Sequence, residues 1–125
     1  PLVRREKLVN PAAIISLIRK VEDYFNQKIT ALLPAEIGGS NALTPILVAN
    51  KINKPIINGD LIGRAFPEIQ MSTPAIFNFK TKIAFLSDYA GNVMMIESDS
   101  LLELENKVRK TVTKHGSSMI IAIYV

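Results

Sequence analysis

Two loops of this 125-residue chain hold side chains suited to acid–base work on a small polar molecule. The first runs Pro34-Ala35-Glu36-Ile37-Gly38-Gly39-Ser40-Asn41. Glycines have no Cβ to block approach, so the Gly38 and Gly39 amides can converge on an anion or a carbonyl oxygen. Glu36 supplies an acid or a base at the rim, and Asn41 a donor to a carbonyl. The competing reading is a tight turn whose glycines serve backbone geometry alone, with Ser40 and Asn41 capping locally. No Gly-Lys-Ser/Thr follows and the GxGxxG spacing is missing, so this is not a nucleotide phosphate loop. The second loop, residues 58–73, gathers Asp60, Arg64, Glu68, Gln70, Ser72 and Thr73. Arg64 is the sole Arg or Lys between Lys54 and Lys80. Its fork suits a substrate carboxylate held in two parallel hydrogen bonds, and equally suits a structural pin on Asp60 or Glu68. An irregular stretch of this length within a compact domain needs a reason, and function is one.

The elements that must position these loops follow from punctuation. Asn10-Pro11 starts a helix with Asn as cap and Pro at the first helical position, and Val9 and Ile14 fall where a hydrophobic staple would sit. Ile14, Leu17, Ile18, Val21, Phe25 and Ile29 lie at helical spacing, which predicts one buried face. Thr30–Leu33 reads as a short strand ended by Pro34, and Pro55–Ile57 as a second, stopped by Asn58-Gly59. Both are apolar enough for strands buried on two faces. Between them, Thr44-Pro45 repeats the cap-then-proline signal and opens a helix through Ile52. Lys82–Ser87 and Asn92–Glu97 form a hairpin around Asp88-Tyr89-Ala90-Gly91. Ser100 and Glu103 make a capping box for a helix burying Leu101, Leu104, Val108 and Val112. Gly116 ends it as a left-handed cap, and Met119–Val125 is the last strand. The expected fold is α/β: a mixed sheet of about five or six strands packed by three main helices, residues 1–125 forming one domain. Both candidate loops then leave the ends of buried strands, where ligands bind in α/β sheets.

Composition removes much else. The chain has no Cys, hence no disulfide, thiol nucleophile or cysteine metal site, and its single His115 leaves one imidazole. His115 precedes Gly116 and is expected to cap its helix. Ser117 and Ser118 lie outside any Gly-x-Ser-x-Gly elbow, and Met94 and Met95 read as packing residues. A net charge of +4 comes from basic groups (Arg4, Arg5 and Lys7; Arg19 and Lys20; Lys107, Arg109, Lys110 and Lys114) broken up by Glu6, Glu22, Asp23, Glu103 and Glu105. With no basic–aromatic alternation, these are solvated helix faces and no nucleic-acid partner is expected. No apolar run reaches the ~18–20 residues of a membrane span, and no leader is visible, so a cytoplasmic location is the default. The chain begins at Pro1 and stops inside an apolar run, which predicts a piece cut from a longer, two-domain protein.

Glu-Ile-Gly-Gly-Ser-Asn at 36–41, followed by Gly-Arg-Ala-Phe-Pro-Glu-Ile-Gln-Met at 63–71, resembles the S-methyl-thiohydantoin desulfurase family. The likeness extends through Ala90-Gly91-Asn92-Val93 to Gly116-Ser117-Ser118, and corresponds to the central part of that family's N-terminal domain. Two positions depart from the family pattern: Asn58, where many relatives carry an acid, and Leu61, where glycine is frequent. Members are longer, with a glycine-rich N-terminal segment and a C-terminal domain, and are often encoded beside hydantoinase and oxoprolinase-type enzymes.

The resemblance implies hydrolysis of a five-membered cyclic thiohydantoin or hydantoin, water displacing a sulfur substituent from the ring carbon. Such a site needs a base for water, donors for developing negative charge, and an acid for the leaving group. Glu36 or Asp60 would be the base, Gly38, Gly39 and Asn41 the polarising donors, and Arg64 the anchor, with Glu68 and Gln70 also in the substrate-binding set. No cofactor is assigned and no metal site is expected; a divalent cation on Glu36, Asp60 and Glu68 is the weaker alternative, since that spacing matches no metal motif. Two readings compete with the enzyme: a ligand-binding or regulatory module of hydantoin catabolism without chemistry, and a structural subunit pairing through the 119–125 strand. The expected partners are the cyclic small molecule and the remaining segments of a parent chain. Apolar surface exposed by separation from such segments would favour a homo-oligomer.

Overall fold

The structure, a computed structural model, describes residues 10–125. The expected Val9 staple and the Arg4, Arg5 and Lys7 group lie outside that range. Helix α1 covers Pro11–Phe25, with the Asn10 side chain accepting from the Ala12 amide at 3.0 Å. It ends at Asn26 in the left-handed region (φ 50°), which returns its N–H to the Glu22 carbonyl. Ile29, expected on this helix, therefore lies beyond it. It still packs against Leu17, Val21 and Phe85, because Glu22 Oε1 takes the Ile29 amide at 3.0 Å and pulls the chain back.

Helix α2, Ser40–Ile52, begins five residues earlier than the Thr44-Pro45 signal predicts. Gly39, at φ 53° and ψ −130°, turns the chain into it, and the first turn closes through Asn41 N to Gly38 O (3.1 Å) and Ala42 N to Gly39 O (3.3 Å). Pro45 falls inside the helix, where it removes one donor to the Asn41 carbonyl. Burial of Val48 and Ala49 and packing of α2 on α1 offset that loss.

Strand β1 (Ile83–Ser87), strand β2 (Val93–Glu97) and strand β3 (Ile120–Ile123) form one antiparallel sheet in the order β2-β1-β3. Ala84 faces Ile96 and Ile123, and Phe85 faces Met95 and Ala122. The hairpin turn is held by Asp88, whose carboxylate takes the Ala90 and Asn92 amides at 2.9 Å each. The turn's Gly91 (φ 90°) lies against α1, where a Cβ would sit 3.7 Å from the Ala13 Cα.

The expected mixed sheet of five or six strands is corrected here: among the described residues the sheet has three strands, all antiparallel. Thr30–Leu33 and Pro55–Ile57 meet in one parallel bridge, Leu32 to Ile56, through Leu32 N to Pro55 O (3.0 Å) and Ile57 N to Leu32 O (2.8 Å). Pro34 and Asn58-Gly59 stop both runs, and Pro55 has no N–H, so no longer ladder can form. Leu33 and Ile57 are exposed rather than buried on both faces.

Helix α4 (Leu101–Lys114) follows a single 3-10 turn at Ile69–Met71 and a one-turn helix α3 at Thr73–Ile76, which shorten the irregular stretch expected over 58–73. The α4 start carries the Ser100 cap to the Glu103 amide (3.2 Å). Its end carries the Gly116 reversal (φ 89°), with Ser117 N to Val112 O at 2.9 Å. The His115 ring lies 2.9 Å from the Thr111 carbonyl, as a capping residue should. The sheet lies between helices. Leu86 and Ala84 meet Leu104, Val108 and Ile69 on one face, while Phe85 meets Leu17 and Val21 on the other. Phe85, Leu86 and Leu104 are fully buried, each contributing on the order of 1.5–3 kcal/mol by leaving water. No helix among the described residues is long and apolar enough to cross a membrane.

Candidate functional site

The two loops meet, and one backbone bond joins them. Leu61 donates its amide to the Ala35 carbonyl at 3.1 Å, so Glu36 and Asp60 flank a single crossing point. The Asp60 carboxylate completes the junction. One oxygen accepts from Ile37 N at 3.0 Å, and the other from Ile62 N at 3.1 Å and from Gly63 N at short range. Those amides, Gly63 first, then Ile37 and Ile62, hold the Asp60 pKa below the ordinary carboxylate range, because each donor stabilises the anion. An anion so stabilised is a poor proton acceptor. Its geometry is that of a clamp that orders the residue after Glu36 and the residue before Arg64.

Glu36 is half-buried, and its Oε1 accepts from Asn41 Nδ2 at 2.8 Å. Asn41 sits in the first turn of α2, so the early helix start brings it back over the loop. The Gly38 and Gly39 amides have no acceptor among the described residues, and the α2 N-terminus adds partial positive charge beside them. Gly39 requires its positive φ, whereas a Cβ at Gly38 would meet nothing within 4 Å. Arg64 is exposed, donates to its neighbour's Ala65 carbonyl at 3.3 Å, and makes no ion pair among the described residues. Glu36, Gly38, Gly39, Asn41 and Asp60 thus form one connected group, with Arg64 next to the clamped Gly63.

Glu68 and Gln70 stand apart from that group. The Gln70 side-chain amide donates to Glu68 Oε2, Gln70 Oε1 is buried without a partner, and Ile69 between them packs into the α4 cluster. With Asp60 committed to amides and Glu68 to Gln70, Glu36, Asp60 and Glu68 do not assemble as three metal ligands. Among the described residues no group of three His, Cys, Asp or Glu is arranged to hold a metal.

Sequence reading missed the residues that anchor the second loop. Glu105 on α4 is buried, takes the Ile69 amide at 3.0 Å and pairs with Arg109 at 2.6 Å; Arg109 also donates to the Pro67 carbonyl at 2.8 Å. The available signal was an acid on the apolar stripe of α4, between Leu104 and Val108. Farther along the loop, Thr73 N to Leu61 O (2.7 Å) and Ser72 Oγ with Tyr124 OH (3.1 Å) close it onto the body of the domain.

Beneath the junction lies an apolar cavity of about 280 Å³, lined by residues of α1, α2, β3, the segment from Ala31 to Ala35 and Leu61. The architecture is therefore a three-layer α/β domain whose two polar loops meet over an apolar cavity. The chain belongs to the S-Me-THD-like N-terminal domain family, which it matches over residues 1–98. Membership fits a hydantoin-related role. A crystal structure of a protein from Chromobacterium violaceum shares the fold, with a TM-score of 0.76 at 20% identity over 91% of this chain. The chain spans 33% of that protein's length. No curated protein matches the chain.

Proposed function

We propose that this domain supplies catalytic groups to a hydrolase of five-membered cyclic thiohydantoins and hydantoins. The observation that carries the reading is the Glu36–Asn41 pair, set beside the unpaired Gly38 and Gly39 amides and ordered by the Asp60 clamp. Glu36 takes a proton from water as the water oxygen bonds to the ring carbon bearing the S-methyl group. The C–S bond then breaks, methanethiolate leaves and takes the proton held by Glu36, and the second water proton passes from oxygen to the ring nitrogen that was the imine, leaving a ring carbonyl and a new N–H. Water and S-methyl-thiohydantoin thus become hydantoin and methanethiol. The two glycine amides receive the negative charge that builds on the ring, and Arg64 anchors a ring oxygen. Asp60 acts by position, holding the loop that presents Glu36 and Arg64.

Thiol release from an S-methyl-thiohydantoin by the full-length protein tests this. Glu36→Gln keeps the bond to Asn41 and removes the base, so turnover should fall about 100-fold or more. Full turnover in that variant would remove Glu36 from the mechanism. Binding measured by calorimetry without thiol release from the unaltered protein would favour a ligand-binding module instead.

A further inference from the structure

The cavity under the two loops has a chemistry of its own. Its walls include Leu17 from α1, Ala31 and Leu32 from the first loop's approach, Val48 from α2, Leu61 from the second loop and Ile121 from β3, and among the described residues no charged side chain lines it. Tyr124 is among its few polar lining residues, and its hydroxyl is already engaged with Ser72. Its lining adjoins the candidate group through neighbouring residues in two places. Ala35 and Leu61, joined to each other by a backbone bond, are the immediate neighbours of Glu36 and Asp60. Along α2, Pro45 and Val48 line the cavity, and Asn41 stands four and seven residues before them, on the same helical stripe. Following that stripe from the cavity floor therefore leads to the side chain that holds Glu36.

We infer that the cavity receives the substituent at the 5-position of the ring, and that the substrates are thiohydantoins or hydantoins carrying an apolar group of isobutyl or benzyl size. This rests on the hydrolase reading for the ring and adds the identity of its side chain. The ring is held at Glu36, Asn41 and the glycine amides. The substituent passes the Ala35–Leu61 junction into the space between α1, α2 and β3. A carboxylate-bearing substituent would lose its hydration there with no cation among the described residues to meet it, so it is disfavoured. Apolar groups gain by burial, each added methylene in such a pocket being worth several-fold in specificity.

The test compares S-methyl-thiohydantoins bearing hydrogen, isobutyl, benzyl or carboxyethyl at the 5-position, with thiol release by the full-length protein as readout. Calorimetric binding of the corresponding hydantoins is measured in parallel. The isobutyl and benzyl compounds should exceed the unsubstituted one about 10- to 100-fold in kcat/KM, and the carboxyethyl compound should fall below it. Val48→Phe, which fills the cavity from α2, should bring the isobutyl-to-hydrogen ratio close to one; Ala31→Leu does the same from the opposite wall if the first variant fails to fold. Equal rates across the series would overturn the pocket and leave the hydrolase reading standing. Graded binding without thiol release would keep the pocket and overturn the hydrolase reading. Neither release nor graded binding would overturn both.

Discussion

Replacing Glu105 tests whether α4 holds the second loop in place. Its carboxylate is buried and carries the amide of buried Ile69, so Glu105→Ala leaves that N–H without an acceptor. A hydrogen bond to a charged group of this kind is worth about 1.5–3 kcal/mol. The partner Arg109 is more than half exposed, so solvent screens the ion pair and loss of that pair adds at most about 1 kcal/mol. The total for Glu105→Ala is about 1.5–4 kcal/mol. Glu105→Gln keeps an oxygen for Ile69 and surrenders only the charge, so it should cost about 1 kcal/mol or less. Arg109→Ala, which loses the bond to the Pro67 carbonyl and leaves the buried Glu105 carboxylate without its counter-charge, should cost about 1–3 kcal/mol. Urea unfolding followed by circular dichroism measures all three, and amide exchange at Ile69 reports the loop directly. It should accelerate in the alanine variant and stay near normal in the glutamine variant. A Glu105→Ala cost under about 0.5 kcal/mol, or equal costs for alanine and glutamine, would refute the argument that the Ile69 amide is what Glu105 satisfies.

Two further outcomes are expected. Asp60 has a pKa lowered in the folded state, so the unfolded chain binds more protons in acid and stability rises with pH through that region. Its contribution is present above the ordinary carboxylate value of 3.8 and is lost as pH falls through the depressed folded value. Asp60→Asn should therefore lower the melting temperature at neutral pH, with the difference closing in strong acid; a pH-independent difference would contradict the clamp. Gly39→Ala forces a side chain into φ 53° and ψ −130° and should cost about 1–3 kcal/mol, while Gly38→Ala, with open space at its Cβ, should cost clearly less in the same unfolding assay.

Much of the site was legible as residue types, and little of it as roles. Glu36, Gly38, Gly39 and Asn41 stand within one short stretch, so their meeting is local and could be anticipated. The distinction between Glu36 and Asp60 could not, because both read as free carboxylates until the fold delivers the Ile37 amide to Asp60 across a separation of 23 residues. Glu68 and Gln70 looked equal in standing to Arg64. Packing of Ile69 against α4 turns that part of the loop toward a different layer. The Pro45 signal misled for a related reason. Proline is favoured at a helix start, yet buried contacts of Val48 and Ala49 tolerate it farther in.

What the chain determined by itself was everything encoded within a turn or two. The Asn10 cap and Pro11, the Ser100 cap, the Asp88–Gly91 hairpin and the Gly116 reversal each arise from side chains and φ preferences acting on near neighbours. The motifs at 36–41 and 63–71 likewise carried the family. Tertiary structure alone decided that the sheet has three antiparallel strands among the described residues, that Asp60 clamps and Glu105 anchors, and that an apolar cavity opens between α1, α2 and β3. Each of those outcomes depends on groups brought together from distant parts of the chain. Burial and amide satisfaction choose among such pairings, and neither acts until the layers have closed.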